Sequence, residues 1–233
     1  MTLLLSGCGG GGGSSSDKVA AVTRESAAGF SSDALILASK RSTDIRISAA
    51  EARRIEDELK TIREQVPAVR DIHTVAEYDL YSLIATVKPG TPWISQWRNG
   101  VSTTGEEKIN AVLAGASLTN VRSLGDSGAG GTHFILTFKD PIHIPALLQQ
   151  LQKTSDSWES LSKNYTSGDG NLIGLQDKEG ARLYAFSLGW GDCSAGCISR
   201  HIWQIMLNSD GSVAVKESGP SPNTATKPQA KPQ

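Results

Sequence analysis

Long apolar runs, an excess of one charge and catalytic signature motifs are all missing from this sequence of 233 residues. No run approaches the roughly 18 apolar residues that a bilayer-spanning helix requires, which excludes an internal transmembrane helix. The 23 basic and 24 acidic residues leave a net charge of −1, so nothing in the bulk composition attracts nucleic acid. No G-x-S-x-G elbow, P-loop, H-E-x-x-H or EF-hand spacing occurs. The common hydrolase, nucleotide and metal sites therefore have no basis in the sequence. Aromatic residues make up only 6% of the chain and there are three cysteines, so each can be accounted for singly. What is present is a globular composition: 38% apolar residues plus 24 glycines. Once the ends are trimmed, that suits one domain of roughly 150 residues or two small ones.

The amino-terminal region, residues 1–16, runs Leu3-Leu4-Leu5-Ser6-Gly7-Cys8, then glycines 9–13 and serines 14–16. A Gly/Ser run has no side chains to bury and behaves as a random-coil tether. Leu5-Ser6-Gly7-Cys8 resembles the lipobox of bacterial lipoproteins, in which small residues admit the signal peptidase and the cysteine thiol receives diacylglycerol. Its apolar region, three leucines, is shorter than the roughly 7–15 residues of such leaders. The resemblance implies that Cys8 is the lipidated residue and the mature N-terminus. It also implies a membrane-anchored partner of the lipid bilayer in the bacterial cell envelope. Gly9 supplies no aspartate-type retention signal, which favours the outer membrane or cell surface.

Cysteine usage agrees with export. Assigning Cys8 to lipid leaves Cys193 and Cys197 as a pair, and outside the cytoplasm so close a pair should oxidise. Closing so small a loop is worth only about 2 kcal/mol in the chain-entropy model, so the bridge would set local shape rather than hold up a domain.

Residues 17–47 mix small, polar and weakly apolar side chains and read as a partly ordered linker, with a short strand or helix around Ala34 to Ala38. The spacing then predicts a helix over 48–66. Ser48 and Glu51 form an S-x-x-E capping box, and Ala52, Ile55, Leu59, Ile62 and Val66 follow at intervals of three and four until Pro67. Across 78–165 the elements alternate. Leu80 to Val87 reads as a strand, Glu106 to Ala114 as a helix, and Thr119 to Leu124 and Thr132 to Lys139 as strands around a Gly-rich turn. Pro145 to Leu151 reads as a helix and Trp158 to Leu161 as a closing strand. The order β-α-β-β-α-β is the split βαβ arrangement. With Phe134 to Leu148 as its core phrase, it resembles the ferredoxin-like modules of propeptides and inhibitors of subtilisin-type proteases. Residues 171–217 predict an antiparallel β-meander, and 218–233 a Pro-rich tail with too little apolar surface to fold. The expected class is α+β: a ferredoxin-like βαββαβ module followed by an antiparallel β-meander.

The densest chemistry lies in Gly189-Trp190-Gly191-Asp192-Cys193-Ser194-Ala195-Gly196-Cys197, continuing to His201 and Trp203. The phrase G-W-G-D-C-x-x-G-C resembles a segment of uncharacterised secreted and lipoprotein-type bacterial proteins, which implies no particular activity. Three physical readings compete. A structural one, in which glycines and a Cys193–Cys197 bridge form a crossover between strands beside Trp190 and Trp203, is preferred. A metal site using Cys193, Cys197 and His201, with Asp192 as a fourth ligand, needs a helix to bring the three together, whereas the flanks read as strand and turn. A reactive cysteine lacks the C-x-x-C helix start that lowers a thiol pKa. His73, His133 and His143 read as surface or satisfied core histidines. Trp93 and Trp97 are candidates for a binding surface or for the core, with the core preferred; with Trp190 and Trp203 they complete the candidate binding aromatics. No catalytic residue and no cofactor is expected. The function expected is that of a non-catalytic envelope lipoprotein binding another envelope protein or serving structurally. The alternatives are a protease-inhibitor or propeptide-like module with a protease as partner, and a metal or redox site.

Overall fold

The computed structural model describes residues 29–222 except Ala129 and Ser167, so the expectations for 1–16, including Cys8, and for the tail beyond 222 lie outside the described residues. Helix α1 (Ser32–Lys40) opens the described chain. Ser31 caps it by accepting from the Ala34 N–H, and every residue from Asp33 to Ser39 is buried. A helix apolar nearly all round belongs inside a protein rather than on its surface. Within the stretch expected to be a partly ordered linker, 32–40 is therefore a core helix. Helix α2 (Ala49–Gln65) begins where expected, with the Ser48 side chain accepting from Glu51 N–H at 3.3 Å. Its stripe of Ala52, Ile55, Leu59 and Ile62 is buried, and Pro67 starts a short 3-10 turn that ends the helix.

The central module holds β1 (Tyr78–Val87), α3 (Ile94–Arg98), α4 (Glu107–Gly115), β2 (Leu118–Asp126), β3 (Thr132–Phe138), α5 (Ile144–Gln152) and β4 (Trp158–Tyr165). Its sheet has the order β2-β3-β1-β4 with every neighbouring pair antiparallel, as a ferredoxin-like βαββαβ unit demands. Alternation sets its two faces. Leu83, Ala85 and Val87 of β1 and Phe134, Leu136 and Phe138 of β3 point into a core closed by α4 and α5. On the other face Thr86 pairs across β3 and β4 with His133 and Ser160, joined through hydroxyl and imidazole contacts of 2.9 Å.

The last four strands are β5 (Leu172–Lys178), β6 (Ala181–Trp190), β7 (Ser199–Asn208) and β8 (Val213–Ser218), hydrogen-bonded in sequence order as a meander. One face of this sheet carries Ile173, Tyr184, Phe186, Trp203, Ile205 and Leu207, and it buries them against α1 and α2. The amino-terminal helices thus belong to the carboxy-terminal sheet, and the central module is inserted between them.

That helix–sheet junction also buries charge. Arg182 is 4% exposed and donates to Glu51 at 2.8 Å and to Glu58 at 3.2 Å, both on α2. The Tyr184 hydroxyl donates to Glu58 at 2.5 Å, and burial, reinforced by that carboxylate, pushes the phenol far above its ordinary value. A buried guanidinium between two carboxylates is tolerated because each charge is desolvated only in the company of its opposite. The α2 surface beyond it is ordinary: Arg54 and Glu58 form an i,i+4 pair at 3.0 Å.

Candidate functional site

Cys193 and Cys197 form a disulfide, which closes the loop between β6 and β7. The loop is pinned from outside by Asp169, in the segment that joins β4 to β5. The Asp169 carboxylate accepts from Cys197 N–H at 2.9 Å, Gly170 N–H at 2.7 Å and Arg200 Nη2 at 2.5 Å. The Asp169 N–H in turn donates to the Cys193 carbonyl at 2.7 Å. Hydrogen bonds from Arg200, then from the Cys197 and Gly170 amides, hold Asp169 down to about 2, well below the usual carboxylate range. Arg200 completes the clamp by donating to the Gly170 carbonyl at 2.8 Å. Two glycines of the motif are required sterically. A Cβ on Gly189 would sit 2.5 Å from Cys197 Sγ, and Gly191 has φ +99° with Ile198 Cβ at 2.9 Å from where its own would be.

Consequences follow for each residue singled out in the sequence. The sulfurs of Cys193 and Cys197 are bonded to each other. His201 is 7% exposed, 3.2 Å from Glu217 and 3.0 Å from the Pro220 carbonyl, with its ring 4.2 Å from that of Trp203. Asp192 accepts from the Ser194 hydroxyl. Among the described residues no cluster of three or more His, Cys, Asp or Glu is placed to hold a metal ion. Trp203 lies in the meander core, while Trp190 is only half-buried beside the loop. Trp93 and Trp97, 3% and 0% exposed, pack with Trp158 inside the central module, so neither presents a surface. Ile198 stands 78% exposed at the end of the disulfide loop, more than any other large apolar side chain among the described residues.

The clamped segment has a second face. Residues 168–170 and Leu172 form one wall of a cleft of about 580 Å³ between the two modules. Helix α1 lines it through Ile36, Ser39 and Lys40, and the central module adds Tyr78, His143 and Lys163. The two connectors touch beside it: Val75 N–H donates to the Asn171 carbonyl at 2.8 Å, and Gly170 lies so near Val75 that a Cβ there would meet it at 2.4 Å.

The polar groups of the cleft differ in how well they are satisfied. Lys163 Nζ is 3.1 Å from Glu77 and 4.3 Å from the centroid of the Tyr78 ring. Ser39 is 1% exposed, yet its hydroxyl has no hydrogen-bond partner among the described residues, and neither has His143 Nδ1. Burial pulls His143 below the ordinary histidine value; a hydrogen bond to the Asp44 backbone opposes that, and the nearby Lys163 charge adds to it. The ring is therefore neutral at pH 7. None of Asp169, Ser39 or Lys163 was singled out from the sequence. Only Asp169 had a local signal, an aspartate between glycines at 168 and 170.

Among the described residues no helix is long and apolar enough to cross a membrane. Comparison with protein-family models, with curated proteins and with solved structures finds no match to this chain.

Proposed function

We propose that this chain is a non-catalytic, lipid-anchored protein of the bacterial cell envelope whose folded modules bind another envelope protein at the end of a Gly/Ser tether. One observation carries the reading. Cys193 and Cys197 are joined, so Cys8, followed at once by the tether, stands outside the disulfide and is free for acylation. A disulfide in an exposed loop is a feature of compartments where thiols oxidise. The protein-binding role is supported by the same loop. It holds Ile198 out in water on a backbone fixed by the disulfide and by Asp169, and a preorganised apolar anchor loses little entropy on docking. The test is metabolic labelling with palmitate in the native host. Label should enter the protein and disappear in Cys8→Ser, with the wild type sedimenting with membranes and the variant not. An unlabelled wild type, soluble after lysis, refutes the reading.

A second reading draws on the central module. Its strand order β2-β3-β1-β4 is the one the protease-propeptide resemblance requires, and it leaves β2 as an edge strand with Leu124 exposed. Such an edge can add a strand from a protease cleft. Inhibition of a panel of subtilisin-type proteases by the purified protein supports this role, and no inhibition across the panel removes it.

A further inference from the structure

The far end of the meander holds a titratable group that the anchoring role does not use. Strand β8 pairs with β7 only as far as Ser218 opposite Ile202, so the same edge of β7 over Ser199, Arg200 and His201 lies beyond the ladder. The residues that follow β8 cover that edge as a strap. Gly219, at φ +99°, comes so near that a Cβ there would meet the Arg200 carbonyl at 2.4 Å, and the Pro220 carbonyl lies 3.0 Å from His201 Nδ1. The other ring nitrogen, Nε2, is 3.2 Å from the Glu217 carboxylate. Both partners can only accept, because a carbonyl and an ionised carboxylate carry no proton. An imidazolium has two N–H donors and satisfies both; a neutral ring has one and must choose. A hydrogen bond to a carboxylate is charge-assisted and stronger than one to a neutral carbonyl. The single proton of the neutral ring therefore goes to Nε2, and Nδ1 turns a lone pair on the Pro220 carbonyl.

We infer that His201 is a one-proton latch: as an imidazolium it holds the strap over the edge of β7, and on losing its proton it lets the strap go. Release bares the backbone of Ser199 to His201, a short strand edge next to the exposed Ile198, and such an edge can pair with another extended chain. The charge facing the ring is Glu217 of β8. From β6 the cross-strand partner is the apolar Leu188, and Trp203 stands beside the ring on β7. Arg200, next in the chain, points to the opposite face and pairs with Asp169. Helix α2, which packs against β7, spends Glu51 and Glu58 on Arg182, and Arg63 on Asp33. The strapped state carries a proton that the released state lacks, so release grows as pH rises. The latch works with or without a lipid at Cys8.

NMR of the purified full chain, titrated between about pH 5 and 8 where histidines change charge, reads both halves of the device. Ring nitrogen shifts of His201 report its proton count and tautomer, and amide relaxation at Gly219 and Ser221 reports the strap. We expect order parameters near about 0.85 while the ring is charged, falling below about 0.6 in step with its own titration. The neutral ring should carry its proton on Nε2. Glu217→Gln is the decisive variant, because its side chain is 57% exposed and the change leaves the fold alone. There a side-chain amide donates to Nε2, the neutral ring keeps its proton on Nδ1 for Pro220, and the strap should stay rigid throughout the titration. His201→Phe should leave the strap mobile at every pH. A strap whose order ignores the titration of His201, a neutral wild-type ring protonated on Nδ1, or a Glu217→Gln protein that frees the strap as the wild type does would each overturn the inference.

Discussion

Arg182→Met is the sharpest test of how the amino-terminal helices are held to the carboxy-terminal sheet. The guanidinium is 5% exposed, and its partners Glu51 and Glu58 are 24% and 15% exposed. Breaking a buried pair typically costs 3–5 kcal/mol because a charge is left uncompensated, whereas a surface pair is worth 0–1 kcal/mol. Because Glu51 keeps Arg41 at 2.9 Å and Glu58 keeps Arg54 at 3.0 Å, and both carboxylates retain some contact with water, the expected cost lies below that range, at about 2 kcal/mol. Methionine keeps most of the volume, so little of that loss comes from packing. The assay is urea unfolding followed by circular dichroism. One control separates charge from shape. In Arg182→Met/Glu58→Gln the charge is removed while an amide oxygen still accepts from the Tyr184 hydroxyl, so the double variant should be more stable than Arg182→Met alone. A cost below about 1 kcal/mol at pH 7, or a double variant no more stable than Arg182→Met, refutes the idea that this ion network is desolvated.

Three further outcomes follow from the loop. Cys193→Ser/Cys197→Ser should lower stability by only about 2 kcal/mol, read by thermal melting, and should leave the far-ultraviolet spectrum intact. Asp169 has a depressed folded-state value of about 2, so its stabilisation is complete above the unfolded value near 3.9 and is lost as pH falls between the two. Amide exchange at Cys197, measured by NMR, should therefore show reduced protection at pH 2.5 relative to pH 6, and Asp169→Asn should remove much of that dependence. Gly189→Ala places a methyl 2.5 Å from Cys197 Sγ and 3.2 Å from the Gly170 carbonyl, so it should slow oxidation of the pair during refolding, counted as free thiols with time.

How much of this was legible depended on whether the signal was local. The Ser48 cap, the Ala52-to-Val66 stripe and Pro67 bounded α2 within a residue, because capping and periodicity act over single turns. The βαββαβ order was readable where local signals were strong: Thr132–Phe138 alternates residue by residue, and Pro145 marks the first turn of α5. Strand ends were less so. β2 runs to Asp126 through an irregularity between Ser123 and Gly125, and β1 begins at Tyr78 across a register shift before Leu83. Helix α1 escaped a firm assignment because Ala34 to Ala38 is apolar on all sides, which removes the periodicity that identifies a surface helix. Its burial is decided by β5–β8, more than 130 residues away in the chain. The same holds for the cleft. Ser39, His143, Lys163 and Asp169 are unremarkable within their own segments, and only the insertion of one module into the other brings them together.

The central claim is that the chain matures outside the cytoplasm with lipid at one end and a closed disulfide near the other. Intact-mass measurement of the protein from its native host, without reductant, tests both at once. The account predicts a chain beginning at Cys8, heavier by a diacylglyceryl group and lighter by the two hydrogens of the Cys193–Cys197 bond. A mass equal to that of the unprocessed, unacylated polypeptide with every sulfhydryl reduced contradicts it.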